Sequence, residues 1–429
     1  MTNIEKYLAR QTFTPPIFTE KPVDDLGLIV TIPAYAERDL LISLQSLKDC
    51  ELPKVGVEVL VIINHPVIAE ESLKETNHEV YNSVIDWAKE NSNSKIQFLI
   101  SKPIELPKKH AGAGLARKIA MDEAVVRFQS TAIENPIIAA FDADATCSPN
   151  YLTELWKHFQ NHTKSLGCSI NFEHPIGTES QSNFEIESII QYELHLRYYQ
   201  AALVYARHPQ AEFTVGSSMA VTRNAYIAQG GMNRRKAGED FWFMLKLMMA
   251  GEISAITEST VYPSSRESFR VPFGTGRAMT EMSEKGDSTY FTANFKSFER
   301  LKVLLQNVDA FYDTDLQNGD GKSLVLDKLT LQFLESVDWI EMIQEIKLYT
   351  TDIESFRKRF YRWLNIFMVM KFFHFLRDEG VEDKPVNEES GRLFEKWVDY
   401  YDDSLAPRDS LLKYRAKKRV QSSDYTLHK

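Results

Sequence analysis

The stretch PIIAAFDADATCSPNYL, residues 136–152, carries a short apolar run that ends in two aspartates one residue apart. Its first half reads as a strand, because a near-continuous apolar run suits a strand covered on both faces. Three earlier runs share this character: LGLIVTIP (26–33), VEVLVIIN (57–64) and IQFLIS (96–101). Between them lie segments with helical spacing at 37–48, 72–91 and 113–128. Such alternation predicts an α/β fold with a mixed, mostly parallel sheet flanked by helices. Ligands of these sheets sit at the carboxyl ends of the strands, which here lead into PAYAE, NHP and DADAT.

Past residue 165 the pattern loosens. CSINF (168–172) and FTVGSSMAVT (213–222) read as strands, with a polar-aromatic helix over 183–205 between them. A helix follows over 240–250, then short strands at 253–257 and 260–263. After about residue 288 the chain is helical and charged. The division expected is therefore an N-terminal extension over 1–25, an α/β domain over 26–290 and a helical C-terminal region over 291–429.

The 429 residues include 50 basic and 60 acidic side chains. That balance argues against a general nucleic-acid binder, which needs a basic face to neutralise phosphates. With 43% apolar and 26% charged residues the chain has the makeup of a soluble globular protein. Cys50, Cys147 and Cys168 are widely spaced and form no CxxC pair. Neither a disulfide framework nor a structural zinc site is indicated, and a reducing, cytoplasmic setting is expected. The N-terminus lacks the apolar core of a secretory signal. The most apolar window, 364–376, is interrupted by Lys371 and is shorter than the ~20 residues a membrane-spanning helix needs.

Several stretches could carry chemistry. Asp142 and Asp144 are either a solvated turn after a strand or two carboxylates placed to hold Mg²⁺ or Mn²⁺, which prefer oxygen ligands. Glu239 and Asp240 precede an apolar helix, so either is an N-cap or a general base toward an attacking hydroxyl. In KKHAGAGLARKIAMDEA (108–124), small residues open a helix whose free N–H groups could face an anion, with Arg117 and Lys118 one turn in. It is neither a P-loop nor a dinucleotide fingerprint, lacking the Gly-Lys-Ser/Thr ending of one and the third glycine of the other. Arg266, Arg270 and Arg277 in SSRESFRVPFGTGRA (264–278) are phosphate clamps or ordinary surface charges.

The order of these motifs is more specific than any one of them. IPAYAE (32–37), HAGAGLARKIA (110–120), FDADAT (141–146), TVGSSMAVTRNAYIAQGGM (214–232) and GED (238–240) follow one another as in family 2 glycosyltransferases of the GT-A fold, a resemblance that covers residues 26–280. The resemblance implies an inverting enzyme that uses a nucleotide-sugar donor. Pro33, Tyr35 and Glu37 match the loop that wraps the base and ribose. Gly112, Gly114, Ala116 and Arg117 match the segment that closes over the nucleotide. Asp142 matches the aspartate facing the nucleotide or metal, and Asp144 the one that holds the metal. Gly216 and Ser217 match the loop lining the sugar site. Asp240 matches the catalytic base, with Glu239 beside it. The implied acceptor is a glycan, a lipid-linked molecule or a small molecule, in glycan biosynthesis.

Two departures stand out. After the second strand the family commonly has Asp-Asp-x-Ser, whereas this chain has Asn64-His65-Pro66, so the donor side at Asn64 leaves the base open. The family's Tyr-Asn-Glu becomes Tyr-Ala-Glu at Ala36. A sugar-1-phosphate nucleotidyltransferase is a weaker reading, because its Gly-rich signature is absent after the first strand. A non-catalytic nucleotide-sugar-binding protein would not need the Glu239-Asp240 pair.

In the helical end, DTDLQNGDGKSL (313–324) has Asn318 and Leu324 where a calcium loop requires Gly and Glu, and is not one. The basic clusters RKRFYRW (357–363) and KYRAKKR (413–419) read as solvated helical surface, and they also permit peripheral contact with anionic lipid.

Overall fold

The structure, a computed structural model, describes residues 2–179, 181–268, 274–314, 325–397 and 405–418. They form two compact units, Met1–Thr178 with Thr214–Glu281, and Glu179–Phe213 with Met282–Lys429. These units do not follow the simple chain order of the sequence division, since 179–213 groups with the C-terminal region.

The first unit opens with α1 (Asn3–Gln11), β1 (Leu26–Ala34), α2 (Leu40–Lys48), β2 (Gly56–Pro66) and α3 (Glu71–Asn91). It continues through β3 (Ile96–Ile100), β4 (Ile104–Leu106), α4 (Ala113–Arg127), β5 (Ile137–Ala140) and β6 (Thr146–Cys147). Next come α5 (Tyr151–Asn161) and β7 (Gly167–Phe172), before the chain leaves to form α6 (Asn183–Tyr205). It returns with β8 (Met219–Thr222), α7 (Arg223–Ala228), α8 (Glu239–Ala250), β9 (Ile253–Tyr262) and α9 (Thr275–Lys285).

The strand order is β3-β2-β1-β5-β8-β7-β9-β6, with β4 beside the end of β2. β1 runs parallel to β2 and β5, while β8 runs antiparallel to both β5 and β7. This is the expected mixed, mostly parallel sheet flanked by helices. β1 is almost wholly buried. Its Leu28, Val30 and Ile32 join one apolar layer and Leu26 and Ile29 the other, and a register shift between Leu26 and Leu28 offsets the alternation. Burying each such side chain contributes about 1.5–3 kcal/mol. The one charge inside β2, Glu58, is fully buried and paired with Arg127 of α4.

Three details differ from the sequence reading. The strand expected over 213–222 begins only at Met219, because Ser218 N–H turns back to the Val215 carbonyl. The two short strands expected at 253–257 and 260–263 are the single β9, whose register jumps so that Ile170 faces Ile256 but Asn171 faces Thr260. The strand carrying DADAT ends at Ala140, and the aspartates lie in a turn in which Ala145 N–H donates to the Asp142 carbonyl.

The N-terminal extension is integral to the first unit. Tyr7 donates to Asp122 Oδ1 at 2.7 Å, and the Ile17 and Phe18 N–H groups donate to Glu123 at 2.9 and 3.3 Å.

The second unit contains α6 and eight further helices among the described residues: α10 (Phe295–Gln306), α11 (Val308–Asp313), α12 (Lys328–Glu335), α13 (Trp339–Leu348), α14 (Ile353–Trp363), α15 (Ile366–Asp378), α16 (Val386–Phe394) and α17 (Pro407–Lys417). A two-stranded ribbon pairs β10 (Phe291–Thr292) with β11 (Lys384–Pro385). The helix α6 packs against α10, α16 and α17, and its buried Glu193 accepts from Arg197 and Arg415. Within the two basic clusters, Arg357 pairs with Asp309 and Glu354, and Arg415 with Glu193. Residue 419 lies outside the described residues, as does most of 313–324. No helix among the described residues is long and apolar enough to cross a membrane.

Candidate active site

Pairing register gathers the motif loops at one edge of the sheet. Ala140 of β5 lies opposite Met219 of β8 and beside Thr31 of β1. The residues leaving β5 (141–145) and those entering β8 (214–218) therefore meet at the end where β1 runs out into residues 35–39. Asn64 of β2 is level with Ile104 of β4, which leads on to the start of α4 at that same end.

Arg117, one turn into α4 and only 3% exposed, is the hub of the edge. Its guanidinium donates to Asp142 Oδ1 at 2.9 Å, to the Gly216 carbonyl at 3.1 Å and to Glu239 Oε1 at 3.1 Å. Three segments distant in sequence are thus held by one planar fork, the geometry in which arginine differs most from lysine. Neighbouring carboxylates, Asp142 first and then Glu239 and Asp240, hold the guanidinium firmly protonated against the opposing effect of burial.

Asp240 adjoins this cluster. Burial first, and then the neighbouring Glu239 charge, push its carboxyl up to about 7, opposed by Arg117 and by the Phe241 N–H that donates to Oδ1 at 2.7 Å. An acid poised near neutrality is what general-base work requires.

Space for the cluster depends on Gly216. A Cβ there would lie 2.8 Å from Arg117 Nη2 and 3.1 Å from Asp240 Oδ2. Gly216→Ala is expected to displace one of them, lowering stability by about 1–3 kcal/mol and kcat/KM with it. Chemical denaturation alongside initial-rate kinetics checks both.

A second cluster forms around Arg266. It pairs with Glu37, with Asp39 Oδ2 at 2.8 Å and with Asp144 Oδ2 at 3.2 Å. Glu37 is buried and also accepts from the Asp39 N–H at 3.1 Å. The two aspartates of DADAT therefore face different arginines. Among the described residues there is no group of three or more His, Cys, Asp or Glu side chains able to hold a metal. Carboxylates alone still suit a hard cation that takes its remaining ligands from phosphate and water, as Mg²⁺ and Mn²⁺ do. Asp144 and Asp142 fit such a cation on that chemistry.

Other candidates fall as follows. Asn64 is buried, and its amide donates to the Ala34 carbonyl at 2.9 Å. His65 is buried too, its Nδ1 is 3.1 Å from the Asn77 amide, and burial lowers its pKa, so it stands neutral. Asn77 also accepts from the Ala36 N–H at 2.9 Å. Ala36 has φ 48°, a left-handed conformation that asparagine tolerates better than alanine. Pro33 and Tyr35 are partly buried at the end of β1 and just beyond it, and Gly112, Gly114 and Ala116 open α4. Ser217 is fully buried. Arg277 pairs with Glu281 within α9, and Arg270 lies outside the described residues.

The residues that sequence reasoning passed over are Asp39, Asn77 and the Cys50–Cys147 contact. Asp39 had a signal, being a second acid two positions after Glu37. Asn77 had none, since it sits in the middle of α3 with no motif around it. Cys50 and Cys147 lie far apart in sequence, yet their sulfurs are 3.6 Å apart.

Residues 137–279, which hold both aspartates of DADAT, Gly216, Glu239, Asp240 and Arg266, match the family model Glycosyl transferase family group 2. That span is similar to family 2 glycosyltransferases. The matched span runs from β5 into α9, so Arg117, which ties the span together, is supplied from outside it. The chain is also similar to the crystal structure of S. aureus TarS 1-349 in complex with UDP-GlcNAc, at 15% identity over 68% of each chain with a TM-score of 0.37. Another structure of S. aureus TarS 1-349 matches at 15% identity over 79% of this chain and 92% of the other, with a TM-score of 0.38. No curated protein matches the chain.

Proposed function

We propose that this chain is a family 2 glycosyltransferase that moves a sugar from a nucleotide-sugar donor to an acceptor hydroxyl with inversion, using Asp240 as the base and a divalent cation at Asp144. The observation that carries the reading is the Arg117 fork, which brings Asp142, Gly216 and Glu239 to one point beside Asp240. Asp240 takes the proton of the acceptor hydroxyl. The hydroxyl oxygen forms its bond to the sugar carbon on the face opposite the leaving group. The bond to the diphosphate breaks, and the nucleoside diphosphate leaves with the electron pair. Inversion follows from that single displacement. Glu239, fixed by Arg117, keeps a second negative charge against Asp240 and so keeps its proton affinity high. Arg266 and Arg117 supply positive charge near the leaving diphosphate.

Asp144 would hold Mg²⁺ or Mn²⁺, with Asp142 beside it. Bound there, the cation would offset charge on the leaving diphosphate. The enzyme works in the cytoplasm in glycan biosynthesis and touches lipid peripherally through the basic C-terminal clusters.

The test is a thermal-shift screen of nucleoside diphosphates and nucleotide sugars, with and without Mn²⁺. A ligand present at 100 times its Kd stabilises by about 2.7 kcal/mol. Asp144→Asn is expected to lose the Mn²⁺-dependent part of that shift while retaining the fold. Unchanged turnover in both Asp144→Asn and Asp240→Asn would overturn the assignment.

A further inference from the structure

Lys108 and Lys109 lead into α4, and Arg234, Arg235 and Lys236 lead into α8; all five are exposed. The two loops meet because Gly112 and Gly114 have no side chain. A Cβ on Gly112 would lie 2.7 Å from the Lys236 carbonyl oxygen. One on Gly114 would lie 2.2 Å from the Arg235 carbonyl oxygen and 2.9 Å from Glu239 Cβ. Five cations are thereby gathered on one lip, in a chain whose net charge is −10.

Their contacts hold them without neutralising them. Arg235 stacks 4.3 Å from the centre of the Trp242 ring, and Arg234 lies 5.6 Å from that of Phe13. Among the described residues none of the five is paired with a carboxylate. Like charges on touching loops repel one another, and the potential they create concentrates anions at the lip. The lip joins the Arg117–Glu239–Asp240 cluster through Gly114, which packs against Glu239.

We infer that this lip binds an acceptor carrying several phosphates and steers its hydroxyl toward Asp240. The inference rests on the reading of Asp240 as the base. Five charges exceed what one carboxylate would use. Two arginines and three lysines suit successive phosphates, one pair by forked hydrogen bonds and the rest by point charge.

The test uses the full chain and a fluorescently labelled short-chain inorganic polyphosphate, followed by anisotropy at low and moderate salt. The variant is Lys108→Gln/Lys109→Gln/Arg234→Gln/Lys236→Gln, which leaves Arg235 on Trp242. The expected result is polyphosphate binding that weakens with salt and falls at least tenfold in the variant. Nucleotide-sugar binding and slow donor hydrolysis should stay at the parent level. A second variant, Lys413→Gln/Lys417→Gln, controls for general charge and should bind polyphosphate like the parent. The inference is overturned if the parent does not bind polyphosphate, or if the first variant binds it unchanged. It is overturned equally if nucleotide-sugar binding weakens in step, which would make the lip part of the donor cradle. Co-sedimentation with phosphatidylglycerol vesicles that depends on the lip, without polyphosphate binding, would assign it to a membrane surface instead. Loss of donor binding in the parent itself would sink the donor reading and leave the polyphosphate result standing.

Discussion

Asp240→Asn is expected to lower kcat by about 10²–10⁴-fold while leaving the donor's Kd unchanged, measured by single-turnover transfer and by calorimetry. The amide fills the same space but cannot take a proton. In the parent enzyme the rate should fall tenfold per unit as pH drops below about 7, because Asp240, the proposed base, is protonated there. In the variant that limb should vanish. The stability effect has the opposite sense. The folded protein holds the Asp240 proton more tightly than the unfolded chain does, whose carboxyl titrates near 3.8. Stability from this group is complete below that value and is lost as pH rises through about 7. Asp240→Asn should therefore raise Tm at pH 7 and above, with the gain shrinking toward pH 4. A variant that is slower and more stable, with a pH-dependent difference, is the signature of a base held against its neighbours.

Removing the fork should do more damage to the fold. Arg117→Ala leaves buried Glu239 without its cation and Asp142 without its donor. Breaking a buried pair from one side costs about 3–5 kcal/mol, a large part of a typical domain's stability. Urea denaturation monitored by tryptophan fluorescence reads that loss. Arg117→Lys keeps one positive charge but cannot reach Asp142, Gly216 and Glu239 together. It should fold, bind donor more weakly and shift the acidic limb of the rate profile above about 7, since Arg117 is what pulls Asp240 down. A lysine variant with parental pH dependence would show that Arg117 acts on packing alone.

Much of this was readable from residue types. The apolar runs at 26–33, 57–64 and 96–101 became strands at nearly the expected places, and the helix over 183–205 became α6, because burial on both faces and long helical periods leave strong local patterns. Asp142, Glu239 and Arg117 each stood out in a motif. Their mutual contact did not, because it is made by the Ala140–Met219 register, a long-range fact with no local trace. The same limit explains Arg266, whose three carboxylates come from residues 37, 39 and 144. Residues 146–147 and 104–106 were missed as strands for a different reason, since two or three residues carry no periodicity. Ala36 is a case where the local rule points elsewhere: asparagine would suit its left-handed backbone, and the Asn77 side chain on α3 supplies the hydrogen bond that holds the turn.

The departure of the chain at residue 178 and its return at 214 also sets an order of events during synthesis. β7 and β8 are partners in the sheet, and everything the first unit needs has been made once residue 281 is reached. The helix α6 is made between those two strands, yet α16 and α17, which cover it, come at the far end of the chain. At about 5–20 residues per second, α6 waits roughly ten to forty seconds for them. During that interval its Tyr192, Tyr198 and Tyr205, buried in the finished protein, have no cover from that direction. A nascent chain stalled near residue 281 would carry a complete sheet and an aromatic helix that still lacks α10, α16 and α17, and chaperone demand should peak in that window.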